Sequence, residues 1–232
     1  MRRFVMGDVH GAHKAMVQCF ERSGFNYDAD ELIVLGDVVD GWPDVKECFD
    51  ELFRVKNLIF VVGNHDLWAL DWMRKGATPK LWTDQGGKAT IESLKEINQN
   101  PYLNFLSRAY KYYEDDEGRL FVHGGIKPGV PIKEQSLEYL VWDRTLFETA
   151  LHRYAYGDVS FRVTGYQEVF IGHSTTSVVD WKMKPVNIGN LWCLDQGAGY
   201  EGKLTMMNIE TKEFWQSGEV DTLYDCHNVR KI

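Results

Sequence analysis

The chain alternates short unbroken apolar runs with longer amphipathic stretches, and their order sets the expected fold. Residues 3–6 (RFVM), 32–35 (LIVL) and 58–62 (LIFVV) are each closed by a glycine. A short apolar run ended by a turn residue reads as a strand covered on both faces, of the kind found in parallel or mixed sheets. Between the first two runs, Ala15, Met16, Cys19 and Phe20 recur at helical spacing in residues 12–23, before Gly24. After the second, Val45, Cys48, Phe49, Leu52 and Phe53 give another helix an apolar face, with Pro43 suited to its first turn. Strand, helix, strand, helix, strand predicts βαβ units and a largely parallel sheet.

From about residue 67 to 108 the strand pattern gives way to LWALDWMRKG, WTDQGGKATIESLKEI and PYLNFLSRAY, which predict a helical insertion. Strands at 109–113 and 119–122 bracket the acidic turn EDDEG as a hairpin, and residues 137–154 read as mixed helix. Residues 169–171 form another short strand, and 186–217 alternate short strands with turns at Gly189-Asn190, at the glycines of DQGAGYEGK and at 210–212. No repeat, linker or low-complexity run divides the chain, so residues 1–232 are expected to form a single domain.

Composition narrows the class of function. A net charge of −8 argues against general nucleic-acid backbone binding, while leaving room for one local basic pocket. No apolar stretch is long enough for a signal-peptide core or a bilayer span. Cys19, Cys48, Cys193 and Cys226 lack CxxC spacing and read as reduced thiols. The expectation is a cytoplasmic protein with no membrane and no nucleic-acid partner.

The strand ends carry the candidate chemistry. Gly7-Asp8-Val9-His10-Gly11, Gly36-Asp37 with Asp40-Gly41, Gly63-Asn64-His65-Asp66, His123-Gly124-Gly125 and Gly172-His173 each follow an apolar run directly. Ligands of open α/β sheets collect beyond the carboxyl ends of strands. A single Asp-Gly ending is ordinarily a turn or a helix cap, and a single histidine ordinarily a partly buried ring. Five such endings point to a shared site. Together they supply Asp8, His10, Asp37, Asn64, His123 and His173, a carboxylate–imidazole–amide set suited to Mn²⁺, Fe or Zn²⁺ and ill suited to Ca²⁺. Six donors exceed the needs of one open catalytic ion and fit two, bridged by a carboxylate at roughly 3.5–4 Å.

The ordered motifs GDVHG, GDVVDG, GNHD, HGG and GH resemble those of the calcineurin-like metallophosphoesterases, and within them the bacterial and phage branch of the phosphoprotein-phosphatase family. DQGAGYEGKLT extends the resemblance over nearly the whole chain. It implies an α/β fold: a β-sandwich of two mixed sheets flanked by helices, in four layers αββα. It implies a dimetal phosphohydrolase, most simply with Mn²⁺, in which Asp8 and His10 hold one ion, Asp37 bridges, and Asn64, His123 and His173 hold the other. His65 would be the general acid, Asp40 would orient it, and a metal-bridging hydroxide would attack phosphorus. The expected substrate is a phosphorylated one, phosphoserine or phosphothreonine first. A dinucleoside polyphosphate hydrolase and a catalytically silent phosphatase-like binding module are the rivals.

One departure stands out. Where the family's GDxVDRG motif has an arginine that grips phosphate, this chain has Gly41 followed by Trp42. Arg144, in VWDR, resembles the family's other phosphate arginine and is the expected clamp; its bland alternative is a surface helix arginine. Trp42 reads as a hydrophobic staple ahead of Pro43, with a nucleobase stack as the alternative. The tryptophans and basic residues of 68–82 either line the substrate mouth or enter the core; His13, His152 and His227 read as surface groups or as supports behind the site.

Overall fold

The structure, a computed structural model, describes residues 1–179 and 183–224. Cys226 and His227 lie outside the described residues.

The apolar runs form strands β1 (Arg3–Met6), β2 (Glu31–Val34) and β3 (Asn57–Phe60), joined by helices α1 (His13–Ser23) and α2 (Val45–Leu52). Strands β1 to β3 pair in parallel, as βαβ units require. Strand β9 (Thr205–Asn208) adds antiparallel to β1, and β10 (Phe214–Gln216) adds antiparallel to β9, so the sheet β10-β9-β1-β2-β3 is mixed rather than largely parallel. The second sheet, β4-β5-β6-β8-β7, contains the acidic hairpin of β4 (Tyr113–Glu114) and β5 (Leu120–Phe121). It continues through β6 (Val169–Ile171), β8 (Leu191–Cys193) and β7 (Val186–Ile188).

Strand alternation distributes the core. On β1 and β2, Phe4, Met6, Leu32 and Val34 face a cluster shared with Met16, Phe20, Phe49 and Leu52 of the two helices. The intervening Val5 and Ile33 point the other way, into a cluster with Phe121 and Phe170 of the second sheet. The far face of that sheet gives Leu120, Val169 and Ile171 to a third cluster, with Leu146, Phe147 and Ala150. Those three belong to α8 (Thr145–Ala155), which follows α7 (Leu137–Trp142). Helix, sheet, sheet, helix is the expected four-layer order.

Between residues 64 and 107 stand α3 (Asn64–Lys75), α4 (Lys80–Trp82), α5 (Lys88–Leu94) and α6 (Asn100–Ser107), with a kinked turn at Thr83–Gly87 between α4 and α5. This is the helical insertion. Helix α2 begins at Val45, so Pro43 precedes the helix instead of opening it. As the outermost strand, β3 keeps Leu58 and Ile59 half-buried, whereas its pattern predicts cover on both faces. Trp42 is 1 % exposed, donates its indole N–H to Ala198 O (2.7 Å) and stacks on Tyr224, which removes it as a nucleobase platform. No helix of the described residues is long and apolar enough to cross a membrane.

Candidate active site

Parallel strands β1, β2 and β3 deliver their carboxyl ends to one edge of the first sheet, and β5 and β6 bring theirs to the matching edge of the second. The loops are drawn tightly together. Val9 and His10 donate their amides to Asp37 O (3.1 and 2.8 Å), and Gly172 N donates to His123 O (2.8 Å). Glycines make the approach possible: a Cβ at Gly63 would lie 2.1 Å from Asp37 Oδ1, and one at Gly172 would lie 2.1 Å from Asp8 Oδ1. Four non-glycine residues, His10, Asp37, Asp40 and His173, adopt positive φ (52°, 49°, 68° and 59°). Such conformations cluster where function holds the backbone under strain.

Two buried groups of side chains could each hold a cation. In one, ligand atoms of His10, Asp37 and His65 lie within 4.8 Å of one another; in the other, those of Asp37, His123 and His173 do. Asp37 belongs to both. Asn64 joins the second through its Oδ1, 3.0 Å from His123 Nε2. Asp8 takes a different stance: its carboxylate accepts the His173 amide on both oxygens (3.2 and 3.1 Å) and stands 4.0 Å from His10 Nε2. All six expected donors are therefore gathered, with Asp8 on the flank.

The electrostatics are those of carboxylates and imidazoles stripped of water. Burial alone would raise the Asp37 carboxyl, but His123, His65 and His10 hold it well below the usual range. Asp8 goes the other way, pushed well up by burial and then by Asp195. Burial opposes the charged form of His123, yet Asp37 and Asp8 outweigh it and raise the ring to about 10. His173 is pushed down to about 2 by burial and by its neighbours His123 and Arg144. A neutral His173 is a metal donor. Its Nε2 is buried without a hydrogen-bond partner among the described residues, an orphaned acceptor that a cation would satisfy. Imidazole, carboxylate and amide oxygen in this arrangement fit divalent ions of intermediate hardness.

One member of the first group, His65, also belongs to a proton-handling pair. His65 Nδ1–H donates to Asp40 Oδ2 at 2.6 Å, and Asp40 is fully buried. The pattern of motifs gives no sign of what holds Asp40. Trp82 donates its indole N–H to the same Oδ2 (2.7 Å), and Thr90 donates its hydroxyl to Oδ1 (2.5 Å) while accepting the Asp40 amide (2.9 Å). Trp82 and Thr90 come from the helical insertion, so that segment braces the pair, and Trp82 is core rather than substrate mouth.

Asp66 is another residue the motifs leave unassigned. Its carboxylate accepts the amides of Asp37, Val38 and Gly63 (2.8, 3.0 and 2.8 Å). An acid three residues after a glycine that opens a helix was the available signal. Burial, helped by Asp37, raises Asp66 to about 7.

Arg144, exposed at the start of α8, hydrogen-bonds the His173 carbonyl through its guanidinium and so stands at the rim of the site. His13 lies 3.7 Å from Glu51, and His152 packs on Tyr156, both away from the cluster. Cys19, Cys48 and Cys193 are buried free thiols.

Known proteins share this architecture. The chain is 28% identical over 138 residues to the symmetrical bis(5'-nucleosyl)-tetraphosphatase of Nitrosomonas europaea, covering 59% of this chain and 49% of that protein. It thus spans about half the length of the relatives of that name that it matches. It is 24% identical to serine/threonine-protein phosphatase 1 of Salmonella typhimurium over 214 residues, 89% of this chain and 91% of that one. A crystal structure of a candidate diadenosine tetraphosphatase superposes with a TM-score of 0.70 at 18% identity, covering 94% and 93% of the two chains. The sequence profile that matches residues 1–198 is that of the calcineurin-like phosphoesterases, and the chain belongs to that family.

Proposed function

We propose that the protein is a dimetal phosphohydrolase that releases phosphate from phosphomonoesters, with phosphoserine and phosphothreonine in proteins as the first substrates to test. The observation that carries this reading is the His65–Asp40 pair, 2.6 Å apart, whose His65 also borders His10 and Asp37 in one of two cation-capable groups that share Asp37. The whole-length likeness to a serine/threonine-protein phosphatase supports the substrate class.

In this reading Asp8 and His10 hold one divalent ion, Asn64, His123 and His173 hold the other, and Asp37 serves both. Mn²⁺ is the ion proposed. Two such ions would supply water activation and charge neutralisation at the phosphoryl group. The chain's own residues do the rest. Asp40, fixed by Trp82 and Thr90, keeps Nδ1 of His65 occupied. Nε2 of His65 is the atom assigned to deliver a proton to the leaving oxygen. Arg144, anchored on the His173 carbonyl, presents its remaining N–H groups to the phosphate oxygens. Placed in a cell, such an enzyme would act in the cytoplasm.

A dinucleoside polyphosphate hydrolase is the second reading. Gly41, in place of a phosphate-gripping arginine, and the 28% identical relatives favour it. The test is phosphate release by metal-stripped protein reloaded with Mn²⁺, comparing a phosphopeptide with diadenosine tetraphosphate. Faster phosphopeptide turnover is expected. Preference for the dinucleotide would transfer the assignment to the second reading.

A further inference from the structure

Two tryptophans outside the metal groups form a wall along the site. Trp68 follows His65 by three positions on α3, so both rings project from the same side of the helix. The ring centroids are 5.1 Å apart at 85°. Trp142, the last residue of α7, meets Trp68 at 5.1 Å and 69°, and meets His173 at 5.9 Å and 88°. Edge-to-face packing thus runs unbroken from His65, through both indoles, to His173.

The wall is held firmly. Helix α7 is capped by Ser136, whose side chain accepts the Tyr139 amide, and the α7 carbonyl of Leu140 accepts Gly124 N. The residue after Trp142, buried Asp143, accepts the amides of Thr145 and Leu146 (3.2 and 3.1 Å) and fastens the start of α8. Yet Trp142 remains 39 % exposed, whereas Trp42 and Trp82 of the same chain are fully buried. A partly exposed indole beside the cation-capable groups can pack against an aromatic group.

We propose that Trp68 and Trp142 form a stacking subsite for an aromatic leaving group, which makes aryl phosphomonoesters of the phosphotyrosine type preferred substrates of this site. The inference rests on the phosphomonoesterase reading above and deepens it. Distance selects the occupant. His65 must reach the leaving oxygen, and Trp68 lies one ring contact beyond His65. A ring bonded directly to that oxygen is the group brought nearest the wall. The side chain of a phosphoserine brings a methylene there, too small to stack. A nucleobase stands off from its scissile phosphoanhydride by a ribose and at least one phosphate, which sets it farther from His65 than a directly bonded ring. In the reaction a water oxygen bonds to phosphorus, and the P–O(aryl) bond breaks with its electron pair passing to the phenol oxygen. His65 donates the proton, and inorganic phosphate and the phenol leave. No electron is exchanged with any other group.

The experiment uses the full chain loaded with Mn²⁺ and matched phosphotyrosine and phosphoserine peptides of one sequence. Trp142→Ala should lower the phosphotyrosine-to-phosphoserine ratio of kcat/KM by roughly 3- to 10-fold, mainly through KM, as expected for loss of an aromatic pair. Trp142→Phe should restore most of it. An unchanged ratio in Trp142→Ala overturns the subsite. A second readout separates its failure from failure of the phosphomonoesterase reading. Phenylphosphonate should inhibit the enzyme more tightly than methylphosphonate, whichever substrate is turned over, and Trp142→Ala should erase the difference. Equal inhibition by the two phosphonates in the wild type overturns the inference even if phosphopeptides are cleaved. If the enzyme cleaves only diadenosine tetraphosphate, the phosphomonoesterase reading and the aryl-ester preference fall together, and a retained phenylphosphonate preference would leave only the ring contact itself.

Discussion

The brace around Asp40 yields a quantitative prediction for Trp82→Phe. Asp40 Oδ2 receives two donors, His65 Nδ1–H at 2.6 Å and Trp82 Nε1–H at 2.7 Å. The substitution removes the second and leaves an apolar ring in its place. A hydrogen bond to a charged group contributes about 1.5–3 kcal/mol. If that energy is spent holding Asp40, and through it His65, its loss reaches the rate as roughly a 10- to 100-fold fall on substrates that need the acid. Folding also suffers. Trp82 is fully buried, and Gly87 packs so closely on its ring that a Cβ there would lie 2.4 Å from the indole. A smaller ring leaves a void, at a cost of about 2–4 kcal/mol in stability.

The assay compares phenyl phosphate with p-nitrophenyl phosphate in Mn²⁺-loaded enzyme, after thermal unfolding confirms a folded variant. Both substrates present the same ring, so any stacking contribution cancels. Phenol leaves poorly unprotonated and nitrophenolate leaves well, so the variant should lose rate mainly on phenyl phosphate. In a His65→Ala background the same substitution should have little further kinetic effect, because the residue through which it acts is gone. Equal losses on both substrates, or full additivity with His65→Ala, would refute the positioning role and leave Trp82 a packing residue.

Other substitutions separate the remaining roles. His65→Ala should lose most turnover on esters with poor leaving groups while elemental analysis finds normal metal content; loss of metal would make His65 a ligand. Asp37→Asn, altering the one side chain common to both cation-capable groups, should lower the bound Mn²⁺ below that of Asp8→Asn by the same analysis. Chelation should lower the melting temperature of the wild type more than that of Asp37→Asn, since ligands that bind only the folded state stabilise it. Away from the site, burial would raise the Asp30 carboxyl, but hydrogen bonds and charge from Arg2, with the Asn26 amide, lower it. A depressed folded pKa gives stability that is present above the unfolded value of 3.8 and lost as pH falls through the folded one. Asp30→Asn should therefore weaken the protein at neutral pH and flatten that acid loss in urea titrations.

What the sequence discloses and what it conceals divide along one physical line. Asp8, Asp37, Asn64, His123 and His173 stand at the ends of apolar runs beside glycines, so each is placed by a local rule that links strand, glycine and candidate donor. The four layers are equally local, because alternation sends Val5 and Ile33 to one cluster and Phe4, Met6, Leu32 and Val34 to another. Trp82 and Thr90 meet Asp40 across 42 and 50 positions, and no periodicity within the insertion marks them. Trp42 looked available for stacking because a tryptophan beside a glycine carries no sign of its cover; its partners, Ala198 and Tyr224, lie over 150 residues away. Strand β9 turns a parallel sheet into a mixed one by long-range antiparallel pairing to β1, with β10 on its outer edge, beyond the reach of βαβ logic.

The strained backbone gives these long-range contacts a purpose. A non-glycine residue held in a sparsely populated region costs on the order of 1–3 kcal/mol, and His10, Asp37, Asp40 and His173 are four such residues. Each is secured by bonds from another segment: the His10 amide to Asp37 O, the Asp37 amide to Asp66, the Asp40 amide to Thr90, the His173 amide to Asp8. Removing a securing group should release one strained turn at a time. Asp66 is the severest case, since it alone receives three amides, from Asp37, Val38 and Gly63. Asp66→Ala strands three buried donors, whereas Thr90→Val strands one amide and one carboxylate oxygen. The strain would then relax by carrying Asp37 away from His123, so metal affinity should fall in Asp66→Ala and hold in Thr90→Val. Similar Mn²⁺ dissociation constants for the two variants, measured on folded protein, would mean that the strained turns are held by the packed strand ends themselves.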